Sequence, residues 1–299
     1  MSEEEETSLR QSRSKSDQRQ RCGLYLVATP IGNSRDITLR ALEVLATVDR
    51  LYAEDTRVTA KLLAMHAIKR PMHSYREQNA KQMEEQILRD LEQGLSIALV
   101  SDAGSPLVSD PGESLVSAVL AANFRVYPVP GPSAAIAALT ASGLPAGRFF
   151  FAGFLASAPN ERRRMIRELE RVPATLIFYE SPARLLDCLT DLQAVLGNRN
   201  ASVAREMTKV YEEITSRPLD ALIEHYSQKT NIKGEIAIVV SPPSEQSAPI
   251  DNDEIDRHLM KQLQTHPVKD AAAIVAAELG LPRRSVYARA LAIKKSDEN

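Results

Sequence analysis

The sequence has few cysteines, no apolar run of membrane-spanning length and almost no net charge. Cys22 and Cys188 are far apart and belong to no metal-binding or redox motif, which is typical of a protein in a reducing compartment. The apolar stretches are too short to cross a bilayer, and the polar N-terminus has no signal-peptide pattern. We therefore expect a cytoplasmic protein. The net charge of −2 gives no global attraction for nucleic acid, so any basic site must be local.

Several common catalytic motifs are also missing. The chain has no Walker phosphate loop, no G-x-G-x-x-G fingerprint and no metal-spaced His/Cys cluster, and its histidines have no evident triad partners. These absences disfavour zinc hydrolysis and nucleoside triphosphate hydrolysis. A charged fraction of 25% and a hydrophobic fraction of 43% are ordinary for a soluble globular protein. The 299 residues suffice for two domains and a small third piece.

The pattern of apolar residues divides the chain into four parts. Residues 1–21 are polar and begin with a run of glutamates, which predicts a disordered tail. Alternating strands and helices in 22–143 predict a parallel-rich α/β domain, and adjacent strands in 147–241 predict a second α/β domain with a mixed sheet. A polar linker at 241–249 precedes 250–299, a helical unit in which helices 271–279 and 283–293 flank a turn, as in a helix-turn-helix. A helical hairpin that merely packs on a neighbouring domain is equally consistent with this pattern.

The most unusual stretch is the loop SDAGSPLVSDPG at 101–112, directly after a predicted buried strand at 97–100. Ligands of open α/β sheets bind beyond the carboxyl ends of strands, where such loops lie. Asp102 and the backbone of 103–105 suit ammonium and hydroxyl groups, and the small Ala134 and Ala135 leave room for a flat ring. An ordinary strand-to-helix turn is the alternative interpretation.

Several local predictions can be tested directly. Asp36 and Ser133 are expected to cap helices, and the alanine-rich helix 134–141 is expected to be interior. The basic helix 158–171 is expected to present a solvated face, although its arginines 162–164 suit phosphate. Short strands are expected at 69–74 and 210–215.

Seven motifs occur in one order: YLVATPIGN (25–33), AEDTR (53–57), SDAGSP (101–106), PGPS (130–133), FYESP (178–182), AREMTK (204–209) and KGE (233–235). Together they resemble the ribosomal RNA small subunit methyltransferase I family, within the tetrapyrrole methylase superfamily, over about 24–240. The resemblance implies a tetrapyrrole methylase-like two-domain α/β fold, with a small C-terminal helical extension of the family type. It also implies S-adenosyl-L-methionine bound between the domains, a homodimer, and no metal or membrane. The implied reaction is 2′-O-methylation of a cytidine ribose in the decoding region of 16S ribosomal RNA.

The resemblance and the loop positions together nominate site residues. The catalytic candidates are Glu54, Glu180, Arg205 and Glu206. The cofactor-binding candidates are Pro30, Asp102, Ala103, Gly104, Ser105, Val108, Ser133, Ala134, Tyr179 and Thr208. The substrate-binding candidates are Asn33, Asp55, Arg57, Lys209, Arg283 and Arg284. Structural ion pairs with Arg57 and Arg205 are an equal alternative for any one of the acidic residues.

Two other functions stay open from the sequence. The same fold methylates tetrapyrroles or other small molecules, although a small substrate needs no basic C-terminal unit. A non-catalytic RNA-binding homologue is the other alternative, because Ala183 replaces an expected histidine and 75–79 departs from an expected His-Asn-Glu core.

Overall fold

The computed structural model describes residues 20–243, 252–279 and 283–297. These residues form two compact units, the first ending at Pro242 and the second beginning at Pro243. Residues 1–19 of the predicted tail, most of the predicted linker and the turn at 280–282 lie outside the described residues. No helix in the described part of the chain is both long and apolar enough to cross a membrane.

The first sheet was predicted to be parallel-rich, and all of its described strand pairs are parallel. Its strands are β1 (Gly23–Val27), β2 (Arg50–Ala53), β3 (His73–Ser74), β4 (Ser96–Val100) and β5 (Val126–Val129), in the order β3-β2-β4-β1-β5. The central strand β4 is buried on both faces, because Ala98 and Val100 pack in one apolar core and Ile97 and Leu99 in another. The predicted strand at 69–74 is wrong in extent, since only His73 and Ser74 pair with β2.

Helices cover both faces of this sheet. These are α1 (Leu39–Thr47) and α2 (Thr56–Met65) on one face and α3 (Ala80–Glu92) and α4 (Glu113–Ala121) on the other. A fifth helix, α5 (Ala134–Ala141), follows β5, and single 3-10 turns occur at Ser34–Asp36 and Glu77–Asn79. Asp36 does not cap α1, because the 3-10 turn ends there and Thr38 Oγ1 accepts from the Ala41 N–H at 3.1 Å instead.

The second sheet is mixed, as predicted. Its strands are β6 (Phe149–Phe154), β7 (Thr175–Glu180), β8 (Asn200–Arg205), β9 (Glu213–Pro218) and β10 (Ile236–Val240), in the order β6-β7-β10-β8-β9. Only β6 and β7 are parallel, and the other described pairs are antiparallel. The strand predicted at 210–215 begins later, because Val210 and Tyr211 are exposed and unpaired with the sheet.

The two sheets are joined through α5. Its buried Ala135, Ala138 and Leu139 pack against Ile177 and Val239 of the second sheet, so the predicted interior position is confirmed. Small side chains let a helix approach a sheet closely.

The outer face of the second sheet carries three helices, which are α6 (Pro159–Leu169), α7 (Leu185–Leu196) and α8 (Leu219–Ser227), with a 3-10 turn at Pro182–Arg184. The prediction that the arginines of α6 lie on a solvated face is wrong for Arg162, which is buried and donates to Asp191 of α7 at 2.6 Å. Arg163 donates to the same carboxylate at 2.6 Å, so two of the three candidate phosphate ligands are held by Asp191.

Residues 252–279 and 283–297 of the second unit form three helices, α9 (Asn252–Leu263), α10 (Val268–Leu279) and α11 (Arg283–Asp297). The first of these was not predicted. Their shared core includes Ile255, Leu259, Val275 and Val286. Arg289 of α11 donates to Asp256 of α9 at 2.5 and 2.8 Å.

Candidate functional site

Three loops meet where the strands of the first sheet end. β1, β2 and β4 are adjacent and parallel, so their carboxyl ends lie side by side. Thr29 and Gly104 exchange two backbone hydrogen bonds of 2.8 and 3.0 Å, and Thr29 Oγ1 donates to the Ser101 carbonyl at 3.1 Å. These bonds hold the loop after β1 against the 101–112 loop, at the edge where such sheets bind ligands.

A cavity of about 420 Å³ opens at this edge and extends to the ends of β7 and β10 in the second sheet. This volume is in the range of small-molecule sites. Ten of the residues nominated from the sequence line it: Glu54, Asp102, Ala103, Gly104, Ser105, Val108, Ser133, Ala134, Tyr179 and Glu180. The structure thus brings together residues of four separate motifs, and what each one binds stays a prediction.

The charge of the cavity limits its ligands. Glu54, Asp102, Asp110, Glu180 and Glu235 line it, and no lysine, arginine or histidine does so within the part of the chain that the structure describes. Glu180 is paired with Arg184 at 3.1 Å and Glu235 with Lys209 at 3.0 Å, and the remaining three carboxylates repel phosphate and attract cations. The cavity therefore suits a neutral or cationic ligand better than a nucleotide phosphate.

Tyr179 connects the two walls of the cavity. Its hydroxyl accepts from the Ala135 N–H at 3.0 Å, and its ring contacts Phe151 and Phe154 edge-on at centroid distances of 4.9 and 5.6 Å. Burial, and then the charge of Asp110, raise the pKa of Tyr179. The predicted side-chain cap by Ser133 is absent, because Ser133 makes no capping bond and the Tyr179 hydroxyl takes an amide of the first helical turn instead.

Carboxylates at the mouth of the cavity hold their protons more tightly than usual. Burial, followed by the charge of Glu54, raises the pKa of Asp110 to about 6. Burial is also the largest cause of the raised pKa of Glu54 and of Asp102. Three mutually repelling carboxylates in a partly desolvated site are typical of functional sites, although ion-pair networks have similar effects.

A second, more open cavity of about 1020 Å³ adjoins the first. It is lined by Asp55, Arg57 and Arg76, and it shares Glu54, Asp102, Ser109 and Asp110 with the first cavity. Asp55 caps α2 by accepting from the Arg57 N–H at 2.9 Å, and its carboxylate also accepts from the Arg57 guanidinium at 2.5 Å. These bonds lower the pKa of Asp55.

The predicted residues of the 204–209 motif lie beside the first cavity but do not line it. Lys209 Nζ donates to Glu206 Oε1 at 2.8 Å and to Glu235 Oε2 at 3.0 Å, and Arg205 donates to Glu213 at 2.9 Å. The bond from Lys209 is the largest cause of the lowered pKa of Glu206. These contacts support the structural ion-pair interpretation for this motif.

The remaining nominated residues are also outside the first cavity. Thr208 Oγ1 accepts from the Asn33 N–H at 3.0 Å, which ties the loop after β1 to the loop after β8, and Pro30 lies in the former loop. Arg283 and Arg284 are exposed at the start of α11 in the second unit. No group of three or more potential metal ligands occurs among the described residues.

The sequence reasoning missed part of the cavity wall. Met207, Ile236, Ala237, Phe154 and Asp110 line the cavity but were not nominated. For Asp110 a signal was present, because the second Asp-Pro-Gly of the 101–112 loop repeats the breaker pattern of the first half. Met207 belongs to the 204–209 motif, whereas Phe154, Ile236 and Ala237 gave no signal beyond that of strand residues.

Each of the two units matches a known protein family. Residues 23–223 match the family described as Tetrapyrrole (Corrin/Porphyrin) Methylases, and residues 249–294 match the RsmI C-terminal HTH domain. A protein of Mesorhizobium japonicum named ribosomal RNA small subunit methyltransferase I is 46% identical over 273 residues, covering 91% of this chain and 92% of the relative. A protein of Escherichia coli O157:H7 with the same name is 44% identical, covering 90% of this chain and 94% of the relative.

Solved structures share the fold at low sequence identity. Diphthine synthase aligns with a TM-score of 0.58 and 13% identity, covering 73% of this chain and 89% of its own. Cobalt precorrin-4 methyltransferase aligns with a TM-score of 0.55 and 16% identity, covering 73% of this chain and 94% of its own. Uroporphyrin-III C-methyltransferase from Thermus thermophilus, solved with S-adenosyl homocysteine, aligns with a TM-score of 0.51 and 22% identity, covering 73% and 96%.

Proposed function

The chain belongs to the ribosomal RNA small subunit methyltransferase I family of tetrapyrrole methylases, and we propose that it methylates the 2′-hydroxyl of a cytidine ribose in the decoding region of small-subunit ribosomal RNA. The methyl donor is S-adenosyl-L-methionine. The observation that carries this proposal is the pair of adjoining cavities. The smaller and less open one (the closed cavity) is lined by no basic side chain of the described residues, and the larger one (the open cavity) is bordered by Arg57 and Arg76.

The residues of the closed cavity fit the cofactor. S-adenosylmethionine supplies an electrophilic methyl group on a sulfonium, and it also carries an ammonium and an adenine ring. The carboxylate of Asp102 suits its positive charge, and the apolar Val108 and Ile236 suit the ring. Backbone groups of 103–105 and the first turn of α5 can meet its polar atoms.

Positioning is the main contribution that we assign to this chain. Methyl transfer requires the attacking oxygen, the methyl carbon and the sulfur in line, so holding both reactants supplies much of the rate. The 101–112 loop would hold the donor, while Asp55 and Arg57 in the open cavity would position the ribose and its phosphate. Glu206, Lys209 and Arg205 would hold the opposite loop in place through their ion pairs.

Recognition of the RNA is assigned to both units. Arg283 and Arg284 are exposed basic residues in the unit that matches the C-terminal HTH family. We propose that they bind phosphate in the assembled small subunit, and that the protein acts as a cytoplasmic homodimer, as the family resemblance implies.

The proposal is tested by mass spectrometry of nucleosides. Small ribosomal subunits that lack the modification are incubated with the protein and methyl-labelled cofactor, and their RNA is digested. We expect labelled 2′-O-methylcytidine at one position of the decoding region. Label on a base, or on a different nucleoside, would contradict the proposed reaction.

The alternatives give different results in the same assay. A small-molecule methyltransferase would bind the cofactor but leave the subunits unlabelled. A non-catalytic homologue would bind RNA, and calorimetry would detect no binding of S-adenosylmethionine.

A further inference from the structure

Asp110 lies at the boundary of the two cavities. Four residues line both of them, and three of these carry carboxylates: Glu54, Asp102 and Asp110. A group at this boundary can face a donor in the closed cavity and an acceptor in the open one. With the donor in the closed cavity and the acceptor in the open one, as proposed above, the proton of the acceptor hydroxyl leaves at this boundary.

Two of the three carboxylates hold loops together. Glu54 Oε2 accepts from the Asp102 N–H at 3.3 Å, and Asp102 Oδ1 accepts from the Asp55 N–H at 3.0 Å. These bonds connect the ends of β2 and β4 and occupy an oxygen of each carboxylate. The Asp110 carboxylate accepts no backbone N–H among the described residues, and its hydrogen-bond partner is the Ser101 hydroxyl, which also contacts the Ala103 and Gly104 carbonyls at 3.4 Å.

The backbone that presents Asp110 is strained. Leu107 and Ser109 have φ values of 72° and 69°, in the left-handed region that non-glycine residues rarely adopt. Such strain persists only where the surrounding structure imposes it, and it is concentrated at functional sites. The Val108 N–H donates to the Ser105 carbonyl at 3.3 Å within this loop.

The groups that face Asp110 favour its protonated form. Glu54 and Asp102 approach from the first sheet and Tyr179 from the second. Burial, and then the charges of Glu54 and Asp102, raise the pKa of Asp110 to about 6, although the Ser101 hydroxyl opposes this. A base with a pKa close to the working pH is both available in its ionised form and strong enough to assist.

We infer that Asp110 is the general base of the reaction, an inference that rests on the proposed function. The bond between the ribose 2′-oxygen and the methyl carbon forms while the carbon–sulfur bond breaks and its electron pair stays on sulfur. The hydroxyl proton passes to the carboxylate of Asp110, which later releases it to water. Glu54 and Asp102 keep the two loops together and raise the proton affinity of Asp110.

The test compares Asp110→Asn with the wild type and with Asp187→Asn, which removes an exposed carboxylate from α7. Single-turnover methylation of small subunits is measured from pH 5 to pH 9, together with calorimetric affinity for S-adenosylmethionine. The titration of carboxyl groups in the free protein is followed by carbon NMR, and the signal absent from Asp110→Asn is assigned to Asp110.

We expect Asp110→Asn to slow transfer by about 100-fold or more, the usual contribution of a general base. Cofactor affinity should change less than about threefold, since the closed cavity keeps its other carboxylates, whereas an affinity loss as large as the rate loss would make Asp110 a binding residue. The wild-type rate should rise with pH through about 6, and the assigned carboxyl signal should titrate in the same range. Asp187→Asn should match the wild type.

The experiment distinguishes a failure of the proposed function from a failure of the inference about Asp110. A wild type that binds the cofactor but labels no ribosomal RNA overturns the proposed function and this inference with it. An active wild type with an equally active Asp110→Asn, or with an Asp110 signal that titrates near pH 4, overturns the inference alone. If Asp110→Asn does not fold, the wild-type pH–rate profile decides the matter, because a rate that does not rise through about pH 6 overturns the inference.

Discussion

Tyr179 is the residue that joins the two sheets at the cavity. Replacing it with phenylalanine leaves the ring contacts to Phe151 and Phe154 but removes the acceptor for the buried Ala135 N–H. We expect the free energy of unfolding to fall by about 1 kcal/mol, the usual cost of losing one hydrogen bond, and cofactor affinity to fall with it. Denaturant unfolding and calorimetry measure both quantities. Tyr211→Phe, at an exposed position, is the control, and equal effects of the two changes would contradict this role.

The raised pKa of Asp110 also predicts how the stability of the protein depends on pH. Its pKa in the folded protein, about 6, is above the ordinary value of 3.8, so the folded state binds its proton more tightly than the unfolded state. Its contribution to stability is therefore fully present below about pH 4 and is lost as the pH rises to about 6. Against Asp110→Asn, the wild type should lose roughly 1–2 kcal/mol over this interval, after allowance for solvent screening. Urea unfolding at each pH measures the difference, and a difference that does not vary with pH would contradict it.

At the scale of elements, α6 is fixed to α7 by Asp191, which is buried with Arg162. Asp191→Ala leaves the guanidinium of Arg162 buried without its partner, so we expect a loss of about 3–5 kcal/mol in the free energy of unfolding. Glu168→Ala removes an exposed partner of Arg164 on the same helix and should leave stability unchanged within error. Chemical denaturation compares the two variants. Similar losses would mean that burial does not decide the strength of these pairs.

At the scale of the whole molecule, the two compact units predict separable functions. The cavities are built by the first unit, and the exposed Arg283 and Arg284 belong to the second. A chain that ends at residue 249 should keep its affinity for S-adenosylmethionine and bind small subunits more weakly. Its binding should also depend less on salt, because the slope falls by about 0.9 for each phosphate that is no longer bound, or about 0.7 where the RNA is single-stranded. Filter binding at several salt concentrations measures this, and unchanged RNA affinity would make the second unit a packing element.

The Arg283→Ala/Arg284→Ala double variant is the finer test of the same prediction. It should reduce the salt dependence of RNA binding but keep the apolar core around Leu259 and Val275. The truncation deletes that core. Thermal unfolding is the control for that core. A loss of RNA affinity in the truncated chain but not in the double variant would assign binding to other residues of the unit.

The sequence by itself determined most of the strands and helices of the first unit, although not α2, and the position of its main loop. β4 is a continuous apolar run ended by Asp, Gly and Pro residues, and these features are local, so they need no knowledge of the fold. The same local reasoning failed where the periodicity of apolar residues was weak. It missed α9, a mostly polar helix, and misplaced β9, an edge strand whose residues are largely exposed.

Only the tertiary structure decided which side chains meet. Asp110 faces Glu54 because β2 and β4 are neighbours, and the Tyr179 hydroxyl reaches Ala135 because α5 packs on the second sheet. It also decided that Arg162 is buried against Asp191 and that Glu206 is paired with Lys209. Sequence spacing gives no information on such contacts, since they depend on sheet order and helix packing between distant segments. The pKa of a carboxylate depends on the same contacts, through desolvation and neighbouring charge. The proposal of Asp110 as the general base therefore needed the tertiary structure.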